Sequence, residues 1–421
     1  MSQLNKPQPT TIEQYPPPPA MRVINTVGRT LESINLLKAV DSLDVIKKKA
    51  QKLSKYESPR VEEVEIAWEG IEILLRDIAD SEQYTFLAQM NAAWEVRKQL
   101  ALAVRVEAYL RDHKDAAAAK VQQPIFVTGF PRTGTTLLHR LIHQDPAMRA
   151  PLMWELLSPV PLPGEKSANA RIQEARRYIA QTAQVVPGLS VAHPSGAMEP
   201  EECVYLLMHC LLWIGRINPP NYLQWLKTYD HTLEYQRYAK YLQVLQHAGS
   251  NASGKQPTWV LKSPFHLDTL DGLFGGFPDA KVIVTHRSPA MVFPSWASLQ
   301  AVPYLMGARK PVLHELGKRW VDIWEAAWLR SEAVRAKHPG KFIDVHYGDL
   351  VSKPIETVEE VYDQLRLPLS GETVDKMRAW LDTQARGRYK EHRYNSFQFG
   401  LSEERLLERF KPYIDKYNVA T

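Results

Sequence analysis

Apolar side chains recur at three- and four-residue steps through the first quarter of the chain. Val61, Val64, Trp68, Ile71 and Leu75 form one series, and Phe86, Met90, Trp94, Val104 and Tyr109 form another. Both predict amphipathic helices. The first is expected to open at Ser58-Pro59, with Glu62 and Glu63 in its first turn. A helical region is therefore expected from about Val23 to His113, assigned as residues 21–122. Ahead of it, residues 1–20 contain Pro16 to Pro19 in a row and predict a flexible or polyproline tail. The alanine-rich stretch from Asp112 to Gln123 reads as a connector.

From Pro124 the texture changes. Short apolar runs at Ile125–Thr128, Trp259–Leu261, Lys281–Thr285 and Phe342–Tyr347 predict buried parallel strands. Between them, helices are expected at Asn169–Gln184, Pro200–Ile214 and Tyr235–His247. Alternation of strand and helix predicts an α/β domain over residues 123–421, with helices on both faces of a parallel sheet. No internal repeat is visible.

Composition narrows the class without deciding it. With 44% hydrophobic and 24% charged residues, the chain reads as an ordinary globular protein. A net charge of +5 suits an anionic small ligand and falls short of a dedicated nucleic-acid binder. The two cysteines, Cys203 and Cys210, would lie about 10 Å apart on one helix. That is too far for a disulfide, and unpaired thiols fit a reducing compartment. The opening residues lack a charged start followed by an apolar core, and Tyr205–Ile214 is shorter than the ~20 residues that span a bilayer. A cytoplasmic location is the expectation.

The strongest chemical signal runs from Pro124 to Ile142. A strand enters a turn containing Gly129, Pro131 and Gly134, and a helix opens at Thr135. Glycines let the backbone curl so that several N–H groups converge on one oxyanion, and the helix N-terminus adds unpaired amides and its dipole. The hydroxyls of Thr133, Thr135 and Thr136 are further candidate donors. Residues 129–136 match Gly-x-x-x-x-Gly-Lys-Ser/Thr except that Thr135 stands at the lysine. That lysine contacts the β- and γ-phosphates in nucleoside triphosphatases, so its loss disfavours ATP or GTP hydrolysis. Arg132 instead places a guanidinium inside the loop.

The loop resembles the 5′-phosphosulfate loop of sulfotransferases that use 3′-phosphoadenosine 5′-phosphosulfate (PAPS). Its Pro-Arg-Thr-Gly-Thr-Thr-Leu is similar to the branch of protein-tyrosine sulfotransferases and many bacterial members. The cytosolic branch has lysine at the place of Arg132. The resemblance implies a P-loop-type parallel sheet, PAPS as co-substrate, 3′,5′-ADP as product, and no metal. Arg287 at a strand end, followed eight residues on by Ser295, resembles the family's 3′-phosphate motif. Tyr347 in His346-Tyr-Gly-Asp resembles the segment near the adenine. Among the late basic residues, Arg388 and Arg393 resemble the loop that closes on the 3′-phosphate.

The resemblance also assigns catalytic roles. Arg132 would sit on the leaving-group side, and Lys262, at the end of the Trp259–Leu261 strand, would reach the sulfuryl oxygens. The base would be Glu155, allowing a two-residue shift from the protein-tyrosine spacing, or else His266; a helix-capping role for Glu155 is the alternative. Glu199, Glu201 and Glu202, after His193, form a further acidic group able to line an acceptor pocket. No His/Cys/carboxylate cluster shows metal-ligand spacing. Aromatic residues between Trp213 and Trp225 suit a partly apolar acceptor with a hydroxyl or amine, such as a small molecule, lipid or carbohydrate. The N-terminal helices can shape that site, mediate homodimer contacts, or lie on a membrane; for Lys47 to Lys52 a solvated face is the simpler reading. Nucleic acid and a transmembrane segment are not expected. Rival readings are a P-loop nucleotide kinase and a non-catalytic nucleotide-binding protein.

Overall fold

The computed structural model describes residues 19–185, 193, 195–207, 217–249, 257–385 and 396–421. It opens with α1 (Pro19–Ser33), α2 (Leu43–Ser54), α3 (Trp68–Ala79) and α4 (Phe86–Asp112). Thr85 starts α4 by accepting the Ala88 N–H at 3.2 Å, which satisfies one of the amides a helix start leaves unpaired. Ile46, Ile71, Leu74, Ile78 and Val96 form the core of this layer. Ile217 and Tyr222, from much later in the chain, join the same core. The far half of α4, through Leu102, Val106 and Tyr109, belongs instead to the core of the sheet. One helix thus ties the two regions together.

The expected helix across Val61–Leu75 is divided. Val61–Glu63 form a single tight turn, and α3 begins at Trp68. The Glu63 carboxylate accepts the Arg60 N–H at 2.8 Å, and the Gln51 side-chain oxygen accepts the Val61 N–H at 2.6 Å. Those bonds give the chain an alternative to a continuous helix.

Five strands build the sheet: β1 (Ile125–Gly129), β2 (Met148–Arg149), β3 (Thr258–Lys262), β4 (Lys281–His286) and β5 (Phe342–His346), in the order β2-β3-β1-β4-β5. Every pairing is parallel, with Ile125 opposite Val260 on one side and Lys281 on the other. Phe126, Val127, Val260, Leu261, Val282 and Ile283 are fully buried, as expected of strands covered on both faces. The four expected strands are present. The two-residue β2 carried no periodic signal.

The helices that position the site are α5 (Thr135–Ile142), α6 (Met153–Leu157), α7 (Asn169–Val185), α8 (Thr232–Ala248), α9 (Pro289–Gly307), α10 (Leu313–Lys337) and α11 (Tyr347–Ser352). The expected helix at Pro200–Ile214 is not formed where the chain is described. Pro200 bridges to Leu152, and only Cys203–Tyr205 make a short helical turn. Glu201 and Glu202 both approach one ammonium, that of Lys262, at 3.8 and 2.8 Å. Cys203 lies off any long helix, and Cys210 falls outside the described residues.

Candidate active site

β1 is the place where the strand order reverses, with β3 on one side and β4 on the other. Open α/β sheets bind ligands in the crevice beyond the strand ends at such a point. Gly129, Lys262, His286 and His346 end the four strands that meet there.

The phosphate loop leaves β1 with Gly129 at φ +136° and enters α5 through Gly134 at φ +91°. A Cβ on Gly129 would strike the Thr285 carbonyl, and one on Gly134 would meet Tyr347 at 3.1 Å. Only glycine fits both places. Arg132 also lies in the left-handed region, at φ +65°, a strain of about 1–3 kcal/mol that clusters at functional sites.

The chain brings four expected residues together around this loop. Arg132 Nε donates to Ser295 Oγ at 3.2 Å, and Arg287 Nη1 donates to the Arg132 carbonyl at 2.9 Å. The Arg287 guanidinium lies 4.0 Å from the centre of the Tyr347 ring. β4 supplies Arg287 just past its end, α9 supplies Ser295 two turns in, and Tyr347 opens α11. Thr135 and Thr136 form the first turn of α5. Thr133 turns its hydroxyl into the protein. Its buried hydroxyl donates to the Phe130 carbonyl at 2.5 Å and lies 2.5 Å from Thr285 Oγ1. It latches the loop to β4. Arg388 and Arg393 lie outside the described residues.

A second cluster forms around Lys262, whose Nζ is fully buried and lies 2.8 Å from Glu202 Oε1 and 3.8 Å from Glu201 Oε1. Glu201 is itself enclosed. It meets His193 Nε2 at 3.1 Å, accepts the Ser195 hydroxyl at 2.7 Å and accepts the Glu202 N–H at 2.9 Å. Burial alone would push the Glu201 carboxyl up. The charge and hydrogen bond of His193, the Lys262 ammonium and the Ser195 hydroxyl instead hold it well below the usual carboxylate range. His193 moves the other way, raised chiefly by the charge of Glu201 against the effect of burial. Glu199, expected in this group, turns away to pair with Arg140 at 2.9 Å. His193, Glu201 and Glu202 bring donor atoms within 4.8 Å of one another, the one such trio among the described residues. Lys262 is the cation it faces.

The two expected bases occupy confined positions. Glu155 accepts from Arg149 Nη2 at 2.7 Å through one oxygen and from the Leu152 N–H at 2.9 Å through the other. It closes the N-terminus of α6 and ties that helix to β2. His266 is fully buried, with Nδ1 2.8 Å from the Tyr235 hydroxyl. Burial, and then the charge of Lys262, push its imidazole down to about 3. Burial likewise pushes the Cys203 thiol up to about 12, which leaves it inert. Arg140 and Arg149 went unnoticed in the sequence because nothing local marks them.

A sequence model described as the sulfotransferase family matches residues 124–371, more than half of the chain. This chain belongs to the sulfotransferase family. It is 25% identical over 343 residues to omega-hydroxy-beta-dihydromenaquinone-9 sulfotransferase Stf3 of Mycobacterium bovis, covering 79% of this chain and 82% of the relative. The crystal structure of sulfotransferase STF1 from Mycobacterium tuberculosis matches with a TM-score of 0.76 and 29% identity, across 89% of this chain and 100% of that one. Sulfotransferase STF9 from Mycobacterium avium shares the fold, with a TM-score of 0.77, 24% identity, and coverage of 90% and 98%. Both structural matches extend well beyond the family segment. The chain is thus a transferase enzyme with an α/β fold, and the kinase and non-catalytic readings find no support. No described helix is long and apolar enough to cross a membrane.

Proposed function

We propose that this sulfotransferase moves a sulfuryl group from PAPS to the hydroxyl of a lipid-like acceptor. One arrangement carries the reading: a strand–loop–helix phosphate cradle whose arginine meets Ser295 and the Arg287 side chain at the sheet's switch point. The loop amides, Arg132, Gly134, Thr135 and Thr136 suit the 5′-phosphosulfate. Arg287 and Ser295 suit the 3′-phosphate, with Arg388 and Arg393 as further candidates, and Tyr347 suits the adenine. Thr133 holds the loop in shape.

In the transfer, the acceptor oxygen bonds to sulfur as the bond from sulfur to the bridging phosphate oxygen breaks. The electron pair of that bond leaves with 3′,5′-ADP. Arg132 stabilises charge growing on the leaving phosphate, and Lys262 stabilises the sulfuryl oxygens. For the acceptor proton we assign Glu202. It lies 2.8 Å from Lys262 Nζ with a partly exposed side chain, so a hydroxyl poised beside the ammonium falls within its reach. Glu201 has four partners and positions Lys262. The assignment moves the base from Glu155, occupied as a helix cap, and from His266, whose depressed basicity makes it a poor proton acceptor at neutral pH.

The acceptor class follows the name of Stf3, an enzyme acting on an omega-hydroxy menaquinone derivative. A cavity of about 1460 Å³ has a mixed wall, with Tyr84, Leu226, Tyr229 and Tyr304 beside Asp230, Asp268, Arg319 and Arg330, and none of the residues assigned to transfer lines it.

The test is calorimetry with 3′,5′-ADP, followed by transfer of labelled sulfate from PAPS into a lipid extract with mass-spectrometric identification of the product. Well-folded protein that gives no heat with the nucleotide would overturn the reading. Label entering only water-soluble acceptors would overturn the acceptor class.

A further inference from the structure

Most apolar surface left uncovered is concentrated in one place. Of the fourteen large hydrophobic side chains exposed among the described residues, seven lie between Val23 and Val45, and Met90 and Trp94 make nine. α1 is turned opposite to an ordinary surface helix, whose apolar stripe faces the core. Its inner face is largely polar or small, with Met21 and Leu31 half-buried beside it. Asn25 accepts the Leu87 N–H at 2.8 Å, Gly28 sits on the Phe86 ring, and Arg29 donates to the Tyr84 carbonyl and to Gln89, both at 2.7 Å. Its outer face carries Val23 and Val27, one turn apart, and the exposed side chains of Ile34, Leu36 and Leu37 follow.

Trp94 belongs to the same surface. The Arg97 guanidinium lies 5.2 Å from the centre of its ring and pairs at 3.2 Å with Asp41, just beyond the Leu36–Leu37 turn. α2 follows immediately, with Lys48, Lys49 and Lys52 exposed and Lys55 beyond its end. Residues 19–57 hold eight lysines and arginines against four acids, a net charge of +4.

We propose that this face docks the enzyme on an anionic phospholipid surface, with α1 and the turn after it entering the headgroup region. The apolar side chains supply burial and the lysines supply attraction to lipid charge. A second copy of the chain fits less well. A twofold interface sets the same surface against itself and would bring the two lysine groups together. The proposal rests on the reading of a lipid-like acceptor, since a membrane-docked enzyme takes such a molecule from where it dissolves.

The experiment is co-sedimentation of the full-length chain with vesicles of phosphatidylcholine alone, or of phosphatidylcholine and phosphatidylglycerol in equal parts. Binding is expected to the mixed vesicles and to weaken with added salt. Val23→Asp with Val27→Asp should lower the partition coefficient at least tenfold, and Lys48→Glu with Lys52→Glu should lower it severalfold. Because these side chains are exposed, 3′,5′-ADP binding should be unchanged in both variants, which separates a failure here from a failure of the functional reading. Absence of binding to the mixed vesicles overturns the proposal, as does undiminished binding by both variants. Self-association that the Val23 and Val27 changes abolish, with vesicle binding intact, assigns the face to a second copy and also overturns it.

Discussion

Two groups of charge flank the end of β1, and they are built on opposite principles. On the β4 side, Arg132 meets the Ser295 hydroxyl, and Arg287 meets the Arg132 carbonyl and the face of Tyr347. The hydroxyl, the carbonyl and the ring carry no formal charge and hold the guanidinium groups in orientation. On the β3 side, Lys262 is already matched by Glu202 and Glu201. An anion entering the first group finds donors in position; an anion entering the second must compete with carboxylates. Under the proposed function, the contrast lets one crevice serve a polyanionic nucleotide on one side and a proton acceptor on the other.

The largest expected effect tests the second group. Glu202→Gln keeps the shape and loses the basicity, so turnover should fall on the order of 10²–10⁴-fold while 3′,5′-ADP binding stays within about twofold. Near-normal turnover would return the base role to Glu155 or His266. Next comes the first group: Arg287→Gln removes charge-assisted bonds worth roughly 1.5–3 kcal/mol, a loss of about 10–100-fold in nucleotide affinity by calorimetry. Loss of turnover with unaltered affinity would break the division of labour between the two sides.

A third, smaller effect concerns acid stability. His266 is buried neutral with its imidazole pushed down to about 3, so as pH falls the unfolded chain takes up this proton well before the folded one. Its contribution is present above the unfolded value of 6.5 and drains away below it. Between pH 7 and 5, denaturant titration should show about 2 kcal/mol lost through this group, and His266→Gln should lose correspondingly less. His193 has the opposite sign. Its raised value gives stability at low pH that fades as pH rises through the folded value, and His193→Gln should flatten the alkaline side. A last effect is on stability alone: Glu155→Gln removes the charge of a largely buried pair with Arg149 and should cost about 3 kcal/mol with turnover nearly intact.

Legibility in the sequence followed the range of the interactions. The phosphate loop was visible because strand, turn glycines and helix start lie within one short segment. Arg287 and Ser295 were visible because a strand end and two helical turns set their relation. Glu155's helix-capping alternative could not be decided locally, because Leu152, whose N–H it accepts, is not a residue that marks a helix start. Met90 and Trp94 fit the helical period, yet they point outward, since periodicity identifies a face without saying what covers it.

By itself the sequence determined the curled backbone of the cradle, the four main strands and the α/β class, because these rest on local sterics and on alternation of strand and helix. Only the tertiary structure decided which charges meet. The contact of Lys262 with Glu202 spans 60 positions, and that of Arg287 with the Arg132 carbonyl spans 155. Such pairs depend on strand order and register, and on the loss of the expected helix at Pro200. Their charges act strongly only where burial excludes water, and that is a property of the folded interior.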